Sequence, residues 1–281
     1  MPRRLVRLRL EYDGTDFCGW QRQAKARTVQ EALEQAITAV TGETAAVTSA
    51  SRTDTGVHAL GQVATFFTQT RIASSQLAAA LTHALPPAVC VRRAATAPEG
   101  FHPQLAAVRK RYEYRFRSGY LRSPLLDRFW THHRYPLDVP AMQAAAQHLI
   151  GRHDFRGFAT RTGGFEAGFD FRRTIERLEF LRPAWDDPFG LGALTADGDS
   201  ADAEARGYAG AWIMRIEGDG FLRNMVRAII GSLFEIGRGK EPPTFLTDVL
   251  LSGDRREAGP TAPPEGLCLM HVFYPPDIGD L

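Results

Sequence analysis

The chain has 281 residues, 44% of them hydrophobic and 23% charged, a balance that excludes a disordered or fibrous chain and permits a sizeable core. That length predicts one large domain or two small ones. Its 34 basic and 32 acidic residues leave a formal charge of +2, which alone neither suggests nor excludes a nucleic-acid partner. Cys18, Cys90 and Cys268 are too few and too scattered for a disulfide framework, so reduced thiols and a cytoplasmic location are expected. No apolar run approaches the roughly 18 residues of a membrane span. Arg3, Arg4 and Arg7 interrupt the stretch that a signal peptide would keep apolar.

In chain order, residues 5–12 alternate, with Val6, Leu8, Leu10 and Tyr12 on one side and Arg7, Arg9 and Glu11 on the other, which predicts a half-buried strand. Thr28 and Glu31 form a T-x-x-E capping box ahead of helically spaced Val29, Leu33, Ala36, Ile37 and Val40, with Gly42 as the stop. Gln62–Phe67 reads as a strand and Ser74–Leu85 as a helix closed by Pro86 and Pro87. A second half is expected from residue 106, so the organisation predicted is 1–105 followed by 106–281. In it, Arg109–Arg117, Thr174–Leu181, Ala211–Glu217 and Leu267–Tyr274 suit strands. Pro140–Ile150, Phe221–Ile236 and Pro243–Leu251 suit helices, the second of them mostly buried. Interleaved strands and helices in both halves place the chain in the α+β or α/β class.

Two segments carry opposed charge. Residues 183–206 hold six acids and one base amid Gly, Ala and Pro, the pattern of a mobile insertion between two antiparallel strands; without it the remainder sums to +7. Residues 101–135 hold eight bases and two acids interleaved with aromatics. Arginine binds phosphate and aromatic rings stack on unpaired bases, so this mixture suits RNA; a solvated strand face backed by core aromatics is the competing explanation.

Three constellations could carry chemistry. In Ser51-Arg52-Thr53-Asp54-Thr55-Gly56-Val57-His58, a carboxylate lies two residues from a guanidinium beside a permissive glycine. Such a carboxylate would stay ionised and could act as nucleophile or charge stabiliser, or it could merely stabilise a turn. In Lys110-Arg111-Tyr112-Glu113-Tyr114, a tyrosine among bases could stack on a nucleobase or accept a proton, or it could pack in the core. Arg227, within the apolar run Met225–Gly231, should not be buried without an anionic partner, and Arg223 would lie one turn earlier on the same face. No HExxH, CxxC, P-loop or dinucleotide fingerprint is present, so neither metal nor cofactor is expected.

Taken in order, several stretches resemble the TruA-type tRNA pseudouridine synthases. They are Tyr12-Asp13-Gly14-Thr15-Asp16-Phe17 with Gly19-Trp20-Gln21, Thr28-Val29-Gln30, and Ser51 through Ala59. Phe101-His102, Arg111-Tyr112-Glu113-Tyr114, Gly151-Arg152-His153-Asp154-Phe155, Arg173-Thr174-Ile175, Phe221 through Gly231 and Glu265-Gly266-Leu267 complete the set. Pro103-Gln104 departs from the family pattern, which commonly has a small residue and an arginine there.

The resemblance implies the pseudouridine synthase fold, two α+β halves with mostly antiparallel sheets joined around a central catalytic cleft. It implies conversion of uridine to pseudouridine in the tRNA anticodon stem-loop at positions 38, 39 and 40, by a homodimer that needs no cofactor. The catalytic aspartate falls on Asp54, the active-site tyrosine on Tyr112 and the basic residue that pairs with the aspartate on Arg227. Arg52 matches the arginine that helps hold the target nucleotide out of the stem; Lys110 and Arg111, just ahead of Tyr112, are further candidate RNA contacts on the basic stretch itself. A paired uridine is out of reach, so flipping is required. Attack by Asp54 on the sugar, attack on the base, and promotion of 2′-proton loss are all compatible with these residues, and Tyr112 is the candidate acceptor of the C5 proton. The acidic segment is expected to lie away from the RNA. A tRNA-binding folding protein without catalysis and a nucleoside hydrolase using Asp54 are the competing readings. The joint presence of Asp54, Tyr112 and Arg227 speaks against the first, and the missing cluster of metal-binding aspartates speaks against the second.

Overall fold

A computed structural model describes residues 3–160, 168–183 and 210–279. The chain divides into two compact units, one comprising Met1–Arg111 with Cys268–Leu281 and the other Tyr112–Leu267. This differs from a boundary at 105/106 with the last strand in the second half. The reason is a strand pairing remote in sequence, which periodicity does not reveal.

The first unit is built on strands β1 (Arg4–Tyr12), β2 (Thr48–Ser49), β3 (His58–Thr68), β4 (Val89–Thr96) and β10 (Leu267–Phe273), with helices α1 (Val29–Thr41) and α2 (Ser74–Ala84). Its sheet order is β4-β1-β3-β10, with β2 on β3. β1 pairs antiparallel with β3 and β4, whereas β10 runs parallel to β3 with Cys268 opposite His58. The alternation read in residues 5–12 is kept, because Val6, Leu8, Leu10 and Tyr12 are all buried. The opposite side is not simply wet: Arg7 is also buried, donates to Gly279 O at 2.8 Å and lies over the Phe101 ring. The α1 caps follow the expected chemistry. Thr28 Oγ1 accepts the Glu31 amide at 3.4 Å, and Gly42 closes the helix in the left-handed region at φ 74°.

The second unit contains β5 (Arg109–Ser118, from Tyr112 onward), β6 (Thr131–His133), β7 (Gly151–Asp154), β8 (Arg172–Leu181) and β9 (Gly210–Gly218). Helices α3 (Val139–Ala146), α4 (Met225–Gly237) and α5 (Phe245–Ser252) accompany them. The sheet order is β5-β9-β8-β7, with β6 parallel to β5, and β7–β8 and β8–β9 antiparallel. Both units are thus α+β with mostly antiparallel strand pairing, as expected. The acidic segment falls between β8 and β9, and from residue 184 to 206 it lies outside the described residues. No helix among the described residues is long and apolar enough to cross a membrane.

Two expectations need correction. The helix read as Phe221–Ile236 begins only at Met225, because Asn224 adopts a left-handed backbone (φ 59°) that no α-helix can continue through. Arg223 therefore precedes the helix and does not share its face with Arg227. The second correction concerns β5, whose charged side is an interior face, not a solvated one. Glu113 and Arg115 are buried and Arg117 is 0% exposed. Arg117 pairs with Asp127 at 2.6 Å, and Glu113 accepts two hydrogen bonds from Arg215, at 2.9 and 3.0 Å. The Arg117 charge is thus neutralised inside the unit, which a buried arginine requires. Of those eight bases, Arg122, Arg128 and Arg134 are the exposed ones.

Candidate active site

Asp54 sits in an irregular loop between β2 and β3, half-buried, with Arg52 exposed and Thr53 buried beside it. A loop with no strand partners must satisfy its backbone groups elsewhere. Here the loop of residues 13–20 does so. Trp20 N donates to Thr53 O at 3.0 Å, Gly56 N to Phe17 O at 3.2 Å, and Val57 N closes a turn on Asp54 O at 3.1 Å. The two loops approach so closely that a Cβ on Gly14 would sit 2.0 Å from Val57 O, and one on Gly19 would sit 2.6 Å from Thr53 O. Gly19 also has φ +83°, so glycine is required there twice over.

Side chains complete the anchoring. Gln62, on β3 and 0% exposed, presents its amide to Ser51 as a second backbone would. Its Nε2 donates to Ser51 O at 2.7 Å, and its Oε1 accepts from Ser51 N at 3.2 Å. Gln62 Nε2 also reaches the Tyr12 hydroxyl at 3.3 Å, and that hydroxyl shares a 2.8 Å hydrogen bond with Thr53 Oγ1. His58 Nδ1 accepts from Gly14 N at 3.0 Å. The Asp13 carboxylate accepts from Thr15 N at 3.0 Å and Thr15 Oγ1 at 2.6 Å. Behind this, Gln30 N donates to Trp20 O at 3.0 Å, which ties the start of α1 to the same loop. Three stretches, at 12–21, 28–30 and 51–62, therefore meet at the loop that carries Asp54. Entropy already lost in folding these loops need not be lost again when a substrate is bound.

In the second unit, Tyr112 lies on β5, 6% exposed, with its ring edge-to-face on Phe221 at 5.3 Å. Its neighbour Tyr114 is the core tyrosine of the strand. The Tyr114 hydroxyl shares a 2.8 Å hydrogen bond with Thr131 Oγ1 and donates to Pro263 O at 2.9 Å, and burial drives its pKa far upward.

Arg227, half-buried on α4, is held by two neutral acceptors. Nε donates to Ala262 O at 2.7 Å, and Nη1 to Asn224 Oδ1 at 3.1 Å. Ala262 N in turn donates to Arg227 O at 3.0 Å, so the extended segment that follows Gly259 is fastened along the helix. Gly231 makes this possible, because a Cβ there would lie 1.7 Å from Pro260 O. Of the remaining expected contacts, Lys110 is 9% exposed, and Arg111 lies over the Phe273 ring at 5.2 Å.

Gln62 lies outside the motifs, and Tyr12 and Asn224 fall in stretches that carry the resemblance without being marked there as contacts of the site. The one signal available for Gln62 is an amide in the mainly apolar stretch of β3 from Ala59 to Phe67, where a buried amide must have partners.

Comparison with known proteins identifies the family. A family model described as tRNA pseudouridine synthase matches residues 10–104 and 145–275. The chain is 41% identical over 272 residues to the tRNA pseudouridine synthase A of Syntrophotalea carbinolica, covering 97% of each chain. It is 40% identical over 275 residues to the enzyme of that name from Thermoanaerobacter sp., covering 96% of this chain and 100% of the relative. It is 39% identical over 276 residues to that of Myxococcus xanthus, covering 98% and 92%. Matched along nearly its whole length, with the anchored Asp54 loop inside the matched region, the chain belongs to the tRNA pseudouridine synthase family of isomerases.

Proposed function

We propose that this protein converts uridine to pseudouridine in the anticodon stem-loop of tRNA, at positions 38, 39 and 40, with Asp54 as the catalytic carboxylate. Similarity to enzymes of this name across 97% of the chain is the observation that carries the reading. The reaction breaks the bond from C1′ to N1 of uracil and forms one from C1′ to C5. The proton on C5 leaves and N1 gains one, so no oxidant, reductant or co-substrate is consumed. What the protein must supply is access to a paired base, a fixed carboxylate and a surface for the freed uracil.

The residues suit these tasks. Arg52 is exposed and can occupy the gap left by a flipped nucleotide. Asp54 acts from a loop whose neighbours are pinned on several sides, so its carboxylate meets the sugar and base with little reorganisation. Tyr112 offers a ring face to the uracil and accepts the C5 proton. Arg227 supplies the cation that keeps the carboxylate ionised. Lys110 and Arg111 contribute to RNA binding, and the enzyme works as a cytoplasmic homodimer.

The test uses tRNA carrying tritium at C5 of uridine. Pseudouridine formation expels the label to water, whereas binding or glycosidic hydrolysis does not. The chain is expected to release tritium from an unmodified anticodon-arm substrate, and no release would overturn the proposal. Asp54→Asn is expected to abolish release while tRNA binding persists; turnover at the parental rate would remove Asp54 from its role.

A further inference from the structure

Asn224 is the one non-glycine residue with positive φ among the described residues, at φ 59° and ψ 3°. A left-handed backbone at a residue with a Cβ is uncommon and persists where the surroundings impose it. Here it falls at the residue before α4, three positions ahead of Arg227. The left-handed turn does two things. It completes the turn in which Met225 N donates to Leu222 O at 3.0 Å, so that α4 can start at Met225, and it swings the Asn224 side chain back over the first turn of the helix. There the amide is used at both ends. Oδ1 accepts from Arg227 Nη1 at 3.1 Å, and Nδ2 donates to Thr160 Oγ1 at 3.1 Å. Thr160 is itself fixed, because its backbone N donates to Arg223 O at 3.1 Å.

Arginine has four rotatable side-chain bonds, and the hydrogen bonds from Nε to Ala262 O and from Nη1 to Asn224 Oδ1 act on two nitrogens of the guanidinium, so together they constrain its plane. We infer that Asn224 is a positioning residue for Arg227: its amide, braced by Thr160, fixes the orientation of the guanidinium in the proposed isomerisation. The inference rests on the assignment of Arg227 to that chemistry. A purely structural explanation exists, that asparagine is present only because it tolerates the left-handed backbone, and it makes the opposite prediction for glycine.

Glycine adopts φ 59° with less strain than asparagine but has no amide. Asn224→Gly is therefore expected to remain folded, the relief of backbone strain offsetting part of the two lost hydrogen bonds. It should also lower kcat for tritium release by about 10- to 100-fold, as displaced catalytic groups do, with KM for tRNA changed by less than about three-fold. Thr160→Val removes the brace and should cost a smaller part of the same kcat. The double variant should be no slower than Asn224→Gly alone, because both act through one contact. Arg227→Ala is measured alongside. Parental kcat in Asn224→Gly, with Arg227→Ala inactive, overturns the inference and leaves the assignment of Arg227 standing. Additive losses in the double variant also overturn it. Parental kcat in Arg227→Ala overturns the assignment and the inference with it.

Discussion

Replacing Gln62 with methionine tests the anchoring of the Asp54 loop. Methionine matches glutamine in length and volume, so the strand interior stays filled while the amide is lost. The Ser51 carbonyl loses a 2.7 Å bond but retains the Ser49 hydroxyl at 3.1 Å, and the Tyr12 hydroxyl retains Thr53. Ser51 N loses its 3.2 Å acceptor at a site where a sulfur replaces an oxygen. Three lost neutral hydrogen bonds, two with Ser51 and one with Tyr12, at about 1 kcal/mol each, with about 1–2 kcal/mol for the poorly solvated amide, predict a loss of roughly 4–5 kcal/mol. Part of this can be relieved by letting Ser51 move, and that movement carries Asp54 with it, since Asp54 follows only three residues on. Urea unfolding should thus show a lower midpoint. Single-turnover tritium release should fall by about 10- to 100-fold even where the variant is fully folded. A folded Gln62→Met protein with parental single-turnover rate, or one destabilised by less than about 1 kcal/mol, would refute the idea that this amide holds the loop.

The remaining predictions concern the second unit. Gly231→Ala would place a methyl 1.7 Å from Pro260 O, against backbone on both sides, so a loss of about 3 kcal/mol or more is expected despite alanine's better helix propensity. A stability at or above the parent would show that the segment at 260–262 is not fastened to α4. For Asp127, burial alone would raise the carboxyl, but hydrogen bonds and charge from Arg117 and Arg122 outweigh it and hold its pKa below the ordinary 3.8. A depressed carboxyl contributes stability above its unfolded pKa and loses it as pH falls through the folded value. Asp127→Asn should therefore be the less stable protein at pH 7, where it leaves the buried Arg117 charge without its carboxylate, and the difference should shrink in acid denaturation below about pH 4. A difference independent of pH would show that the pair contributes no charge-linked stability.

What the sequence determined by itself is mostly local. The alternation of Val6, Leu8, Leu10 and Tyr12 dictates a strand with one dry face because side chains alternate along any strand. Thr28, Glu31 and Gly42 mark both ends of α1 because caps act within a few residues. The Arg52-Thr53-Asp54 motif was legible for the same reason, since the resemblance lies in contiguous residues. Other features depended on where distant segments met. Whether Arg115 and Arg117 face water or the interior depends on Asp127, Arg215 and the strands beside β5, none of which period two can report. The left-handed Asn224 is invisible in an apolar run that reads as continuous helix, because the constraint comes from Thr160 and Arg227. The return of Cys268–Leu281 to the first unit is a pairing of β10 with β3 across about two hundred residues, and no local preference encodes it. Composition and motif thus set which chemistry the chain carries. Tertiary structure decided how rigidly its carboxylate and its arginine are held, because rigidity is made of contacts between residues remote in the chain.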